Sequence, residues 1–163
     1  MGYTEPPAIS TSDLITAAQM NQWWRDNAMY FYANMAQKPV IASTTMETER
    51  TKTGDTNWAA VSGASVEITI TETCDVTIIA NFNTKNNGAY SHEHRILRDG
   101  VTQVGIDSRQ VGATDYRGGC VLAHDKALAA GTYTYALYHK TGNASGTVYT
   151  DQVTIMARGD VVA

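Results

Sequence analysis

The side chains of this chain that could do chemistry are its histidines, its two cysteines and a run of tyrosines. His92, Glu93 and His94 are consecutive. On a strand, residues two apart share a face, so both imidazoles could ligate one metal while Glu93 points the other way. A structural zinc needs two more ligands. His124, Asp125 and His139 carry donor atoms, but no spacing brings them to the pair. The expectation is of surface or partly buried histidines on a sheet face, with no metal and no cofactor. Cys120 and His124 would share a strand face about 13 Å apart, too far for a thiol and its base. Cys74 and Cys120 fall in predicted strands and read as buried free thiols, too few for a disulfide framework.

Other patterns carry less. No phosphate-binding loop, nucleophile elbow or H-E-x-x-H is present. Gly118-Gly119 reads as a turn, and so does the sequon Asn143-Ala144-Ser145. Arg158-Gly159-Asp160 reads as a chance RGD. Glycoside hydrolysis needs two carboxylates roughly 5–10 Å apart, and no such pair can be placed. The chain therefore reads as no enzyme. Tyr133 and Tyr135 alternate onto one face and Tyr138 onto the other. At least one set belongs in a core, and an exposed set could stack on a surface glycan.

The element that could act without chemistry is a helix from Thr16 to Lys38. Thr16 and Gln19 form a capping box, with Ile15 and Met20 as its staple. Pro39 disfavours helix at Lys38. The resulting rod is roughly 30 Å long. Met20, Trp24, Asn27, Phe31 and Asn34 follow a 4-3-4-3 spacing, and Trp23 and Tyr30 lie on the neighbouring stripe. Such a face packs either on its own domain or on copies of itself or a neighbouring protein. Asn27 and Asn34, one heptad apart, favour the second, because Asn on a seam fixes register. These seven residues are the expected interface.

Residues 1–15 read as an extended arm, and after Pro39 the period changes to two. Val66, Ile68 and Ile70 alternate with polar residues as a half-buried strand. Asp75–Asn83 is more continuously apolar and reads as central. Lys85-Asn86-Asn87-Gly88 reads as a type I′ hairpin turn, Asp99-Gly100 as another, and Gly63 as a strand break. Thr132–Lys140 and Thr147–Arg158 are the last strands. Eight to ten short strands after one helix, without βαβ alternation, predict a mainly β chain. Its architecture is an antiparallel jelly-roll-like β-sandwich, with residues 1–38 as arm and assembly helix and 39–163 as sandwich.

Composition agrees. The chain is 43% hydrophobic, enough for a core, and only 17% charged, with a net charge of −4 and no basic cluster. Nucleic-acid binding, which needs Lys and Arg against phosphates, is not expected. The first residues lack the basic and apolar regions of a secretory signal. No apolar run is long enough to cross a bilayer. Expectation is of a protein made in the cytoplasm, with no membrane partner.

The string Leu14–Asn27 resembles a segment of tailed-phage structural proteins, "ITAA-x-x-N-x-x-x-RDN", which there precedes a β-rich domain. Ile15, Thr16, Ala17, Ala18, Asn21, Arg25, Asp26 and Asn27 match. Arg98-Asp99-Gly100, Leu128 and Ala130–Thr134 resemble the hairpin and "L-x-A-G-T-Y-T" run of phage fibre and decoration sandwiches. The resemblance implies a virion protein. The expected role is a capsid decoration or cement protein on the major capsid protein, a homotrimer held by its helix. The alternative is a tail-fibre or receptor-binding sandwich that contacts a surface glycan.

Overall fold

In the computed structural model, residues 20–28, 39–54, 56–88, 90–110 and 115–162 are described, residues 107–110 by their backbone. Two compact units, 1–38 and 39–163, divide the chain. In the first, residues 20–28 form helix α1. The second holds nine strands: β1 (Val40–Met46), β2 (Arg50–Thr53), β3 (Ala59–Ile70), β4 (Cys74–Asn86), β5 (Ser91–Arg98), β6 (Thr102–Gln110), β7 (Arg117–Leu128), β8 (Gly131–Thr141) and β9 (Thr147–Val161).

Two antiparallel sheets result. Sheet A runs β1-β9-β4-β7, with β2 also on β9, and sheet B runs β3-β8-β5-β6. β1 pairs with Val153–Gly159 and β2 with Thr147–Thr150, so they act as one edge strand interrupted at residues 47–49. Among the described residues, β5–β6 is the one hairpin within a sheet. Every other connection from β2 onward crosses to the opposite sheet, which is the jelly-roll arrangement. The expected mainly β sandwich is therefore present.

Period-two patterning decides what faces inward. On β4, Cys74, Val76, Ile78, Ala80 and Phe82 are buried, and the strand lies between β7 and β9, central as its apolar run predicts. Val66, Ile68 and Ile70 of β3 and Tyr135 and Leu137 of β8 meet it in one core with Val153, Ile155 and Ala157 of β9. Truncating such a fully buried Ile or Leu to Ala costs about 2–5 kcal/mol.

Several local expectations change. The Asp99-Gly100 turn forms as predicted. Both residues have positive φ, 51° and 74°, and Val101 N donates to Arg98 O at 3.1 Å. Asn87-Gly88 is a turn but no hairpin, because β4 and β5 lie in different sheets. Asn87 instead extends the sheet A ladder, its N–H donating to Thr147 O and its Oδ1 accepting from Thr147 N. Gly63 does not end a strand. At φ 89° it sits in an irregularity between Ala60 and Ser65 that keeps both Val61 and Ala64 buried, and β3 continues. Gly118-Gly119 lies within β7 and pairs with Asn83 and Phe82. The Asn143 turn is present, with Ser145 N donating to Asn143 Oδ1 at 2.7 Å.

Candidate functional site

On α1, Met20 is 43% and Trp24 63% exposed. The Trp23 ring stands edge-on to Trp24, centroids 5.6 Å apart. Asn27 is buried, and its amide bonds to none of the described residues. A polar face runs beside them. Arg25 Nη2 donates to Gln22 Oε1 at 2.9 Å, and Gln22 Nε2 donates to Asp26 at 3.1 Å. Tyr30, Phe31, Asn34, the Thr16 cap and the stop at Lys38 lie outside the described residues.

The histidines depart from expectation. His92, His94 and His139 are all fully buried. They sit on the inward parity of β5 and β8, and His94 stands directly opposite His139. Glu93 does point outward, ion-paired with Lys140 at 3.2 Å. The ring nitrogens His94 Nε2 and His139 Nδ1 both lie 2.9 Å from the Thr150 hydroxyl on β9. His94 also stacks on Phe82 at 4.1 Å. Thr84, Asn86, Thr141 and Thr147 complete a buried polar end to the sandwich. Asn86 Nδ2 donates to Tyr90 O. Burial above all, then the charges of Lys52 and His92, push the His139 imidazole down to about 4, so it is neutral at pH 7. Among the described residues no group of three His, Cys, Asp or Glu is arranged to hold a metal. The cluster is a hydrogen-bonded core element that joins the sheets.

The outer face of sheet B is laced with charge. Arg95 lies 4.2 Å and Lys140 4.9 Å from the Trp58 ring centre. Sheet A differs. Register places Ser43, Met156, Ile79 and Leu122 in one outward row across four strands, and Thr45, Thr154, Asn81 and Cys120 in the next. Leu122 is 58% exposed. Cys120 is exposed too, against expectation, because Gly119, Val121 and Ala123 take the inward parity of β7. Cys74 is buried as expected, its thiol raised by burial and then by nearby carboxylates.

Beyond this row lies a shallow depression of about 400 Å³ lined by Asn81, Phe82, Asn83, Gly118, Gly119, Cys120 and Gln152. A β-bulge builds it. Asn81 pairs with Thr154 but Asn83 with Asp151, leaving Gln152 and Val153 opposite Phe82. Val153 turns into the core, while Gln152 is exposed at φ 47°, where such bulges usually carry glycine. That backbone costs about 1–3 kcal/mol. Asn83 Nδ2 donates to Gln152 Oε1 at 2.6 Å. A Cβ at Gly118 would meet no atom within 4 Å, so the floor is open there, whereas the Phe82 ring fills the space over Gly119.

One outward row beyond Asn83 and Asp151, Lys85 lies 4.2 Å from the centre of Tyr116 and 4.9 Å from that of Tyr149. Tyr116 donates to Glu49, which also faces Lys85 at 3.7 Å. Burial, and then Glu49, hold the Asp151 carboxyl above its ordinary range. The Glu49–Asp151 neighbourhood was not legible in sequence, because a cross-strand fold brings together residues about a hundred positions apart.

No family model matches the chain, and no curated protein matches it. Solved structures with a similar course include the tripod from the baseplate of bacteriophage Tuc2009 (10% identity, TM-score 0.44, 98% of this chain and 99% of that one). Another is the VP2 subviral particle of infectious bursal disease virus (12%, 0.47, 77% and 38%). A third is titled as a CBM4 structure (14%, 0.39, 68% and 78%). Similarity at this level is one of general shape, and no family assignment follows from it.

Proposed function

We propose that this chain is a non-enzymatic structural protein of a tailed-phage virion. Residues 1–38 attach and oligomerise it as a homotrimer, and the jelly roll of residues 39–163 faces outward as a decoration or cement protein on the major capsid protein. The observation that carries the reading is on α1, where Trp24 and Met20 stay largely exposed. Exposed large apolar side chains on one helix face suit burial against another chain. The Leu14–Asn27 resemblance supplies the virion setting.

Sedimentation equilibrium tests it. A trimer is expected, reduced to monomer by Trp24→Ala with Phe31→Ala, the circular dichroism of the sandwich unchanged. A native monomer, or a trimer indifferent to both substitutions, overturns the reading. The second reading, a receptor-binding or tail-fibre sandwich, is favoured by the depression on sheet A. Copy number per virion separates them: hundreds for decoration, around a dozen or fewer for a tail part.

A further inference from the structure

We propose that the depression on the outer face of sheet A is a binding site for an uncharged pyranose unit of a glycan. It goes beyond the assembly reading and stands without it, since a monomer could bind and a trimer could fail to. Asn81, Asn83 and Gln152 supply the polar groups. Each carboxamide both donates and accepts, as vicinal hydroxyls require. None of the described residues that line the depression is charged, and in the next row Lys85 already faces Glu49, so the lining favours an uncharged ligand. Beside the amides, Leu122, Ile79 and Met156 form a shallow apolar row on the same face, suited to the C–H face of a sugar ring.

The geometry is built rather than incidental. Without the bulge, Asn83 and the residue opposite it would pair as any two sheet residues do. With it, Gln152 takes a left-handed backbone and its amide accepts from Asn83, while Gly118 leaves the neighbouring space open. Asn83 thereby holds one amide hydrogen in that bond and keeps its oxygen and other hydrogen for a ligand. A depression of about 400 Å³ lies in the range of small-ligand sites, roughly 300–1,000 Å³.

The test uses the full chain and neutral oligosaccharides of glucose, galactose, mannose, xylose and N-acetylglucosamine. Titration is followed by the side-chain amide resonances of Asn81, Asn83 and Gln152 and by alkylation of Cys120, the exposed thiol inside the site. At least one sugar is expected to shift those amides and slow Cys120 alkylation, with Gly118→Val and Asn83→Ala each weakening it tenfold or more. Gly118→Val fills open space and leaves the fold intact, which thermal melting checks. No shift with any sugar overturns the proposal, as does a shift confined to other faces. Equal affinity in folded Gly118→Val overturns it as well. So does an uncharged Gly/Asn peptide that moves these amides when the sugars do not. The oligomeric state, measured alongside, reports on the assembly reading separately.

Discussion

The two interior ends of the sandwich solve one problem in opposite ways. At the β5–β6 turn, Arg98 of sheet B donates to Asp125 of sheet A at 2.6 Å, and Tyr135 OH donates to the same carboxylate at 3.1 Å. At the other end, the sheets are joined through Thr150 of sheet A, whose hydroxyl lies between His94 and the neutral His139 of sheet B. Exposure accounts for the difference. The Arg98 and Asp125 side chains keep 22% and 12% of their surface in contact with water, whereas the histidines keep 1% or less. A charge near the rim retains solvation, and a fully enclosed one does not, so burial favours the uncharged imidazole at His139. The two ends should therefore fail at opposite extremes of pH.

The largest effect is expected in acid. His139 titrates at about 4 when folded and near 6.5 when unfolded. The unfolded chain thus binds the extra proton first, and stability falls as pH drops from 6.5 towards 4, by as much as ~3 kcal/mol. Urea unfolding across that window measures it. His139→Leu should lower stability at pH 7.5, by loss of its bond to Thr150, yet flatten the acid slope. An unchanged slope would break the comparison.

Next in size is Asp125→Asn, which removes the carboxylate from Arg98 and Tyr135. The expected loss is about 2 kcal/mol at pH 7, with the acid slope of the histidine end intact. Smallest is Tyr135→Phe, about 1 kcal/mol at pH 7. Its sharper signature is alkaline. Burial, and then the Asp125 charge, hold the Tyr135 phenol above its ordinary value of 10. The unfolded phenol therefore ionises first, and stability is lost as pH rises past 10. Tyr135→Phe should remove that loss.

Much of this architecture was legible before folding. The alternation around Val66, Ile68 and Ile70 and the Arg98–Val101 turn are local signals, and local chemistry satisfied them. Sheet membership is not local. Asn87-Gly88 has the composition of a hairpin turn, but which sheet receives β5 depends on strands far along the chain. The buried histidines had a readable sign: His92 and His94 share parity with Ile96, which is buried. Their polarity argued for the surface, and parity prevailed because Thr150 and Asn86 meet them inside. The same rule placed Cys120 outward with Leu122 and His124. Asn81 and Asn83 follow from alternation too, but Gln152 joins them only through the bulge, which no local pattern announces. The helix residues Tyr30, Phe31 and Asn34 lie outside the described residues.

The position of β9 has a consequence in time. It is the last strand of the sandwich in sequence, yet it lies inside sheet A, between the β1–β2 edge and β4. Val40 at the start of β1 finds its partner in Gly159. A nascent chain on the ribosome can therefore close the β5–β6 hairpin early but cannot complete sheet A until β9 has emerged. Pairings this distant are slow, with folding on the millisecond-to-second scale for such topologies. Until then the backbone edges of β1 and β4 that pair with β9 stand open, and a chain stalled short of β9 would be a substrate for chaperones or proteases rather than a smaller version of the fold.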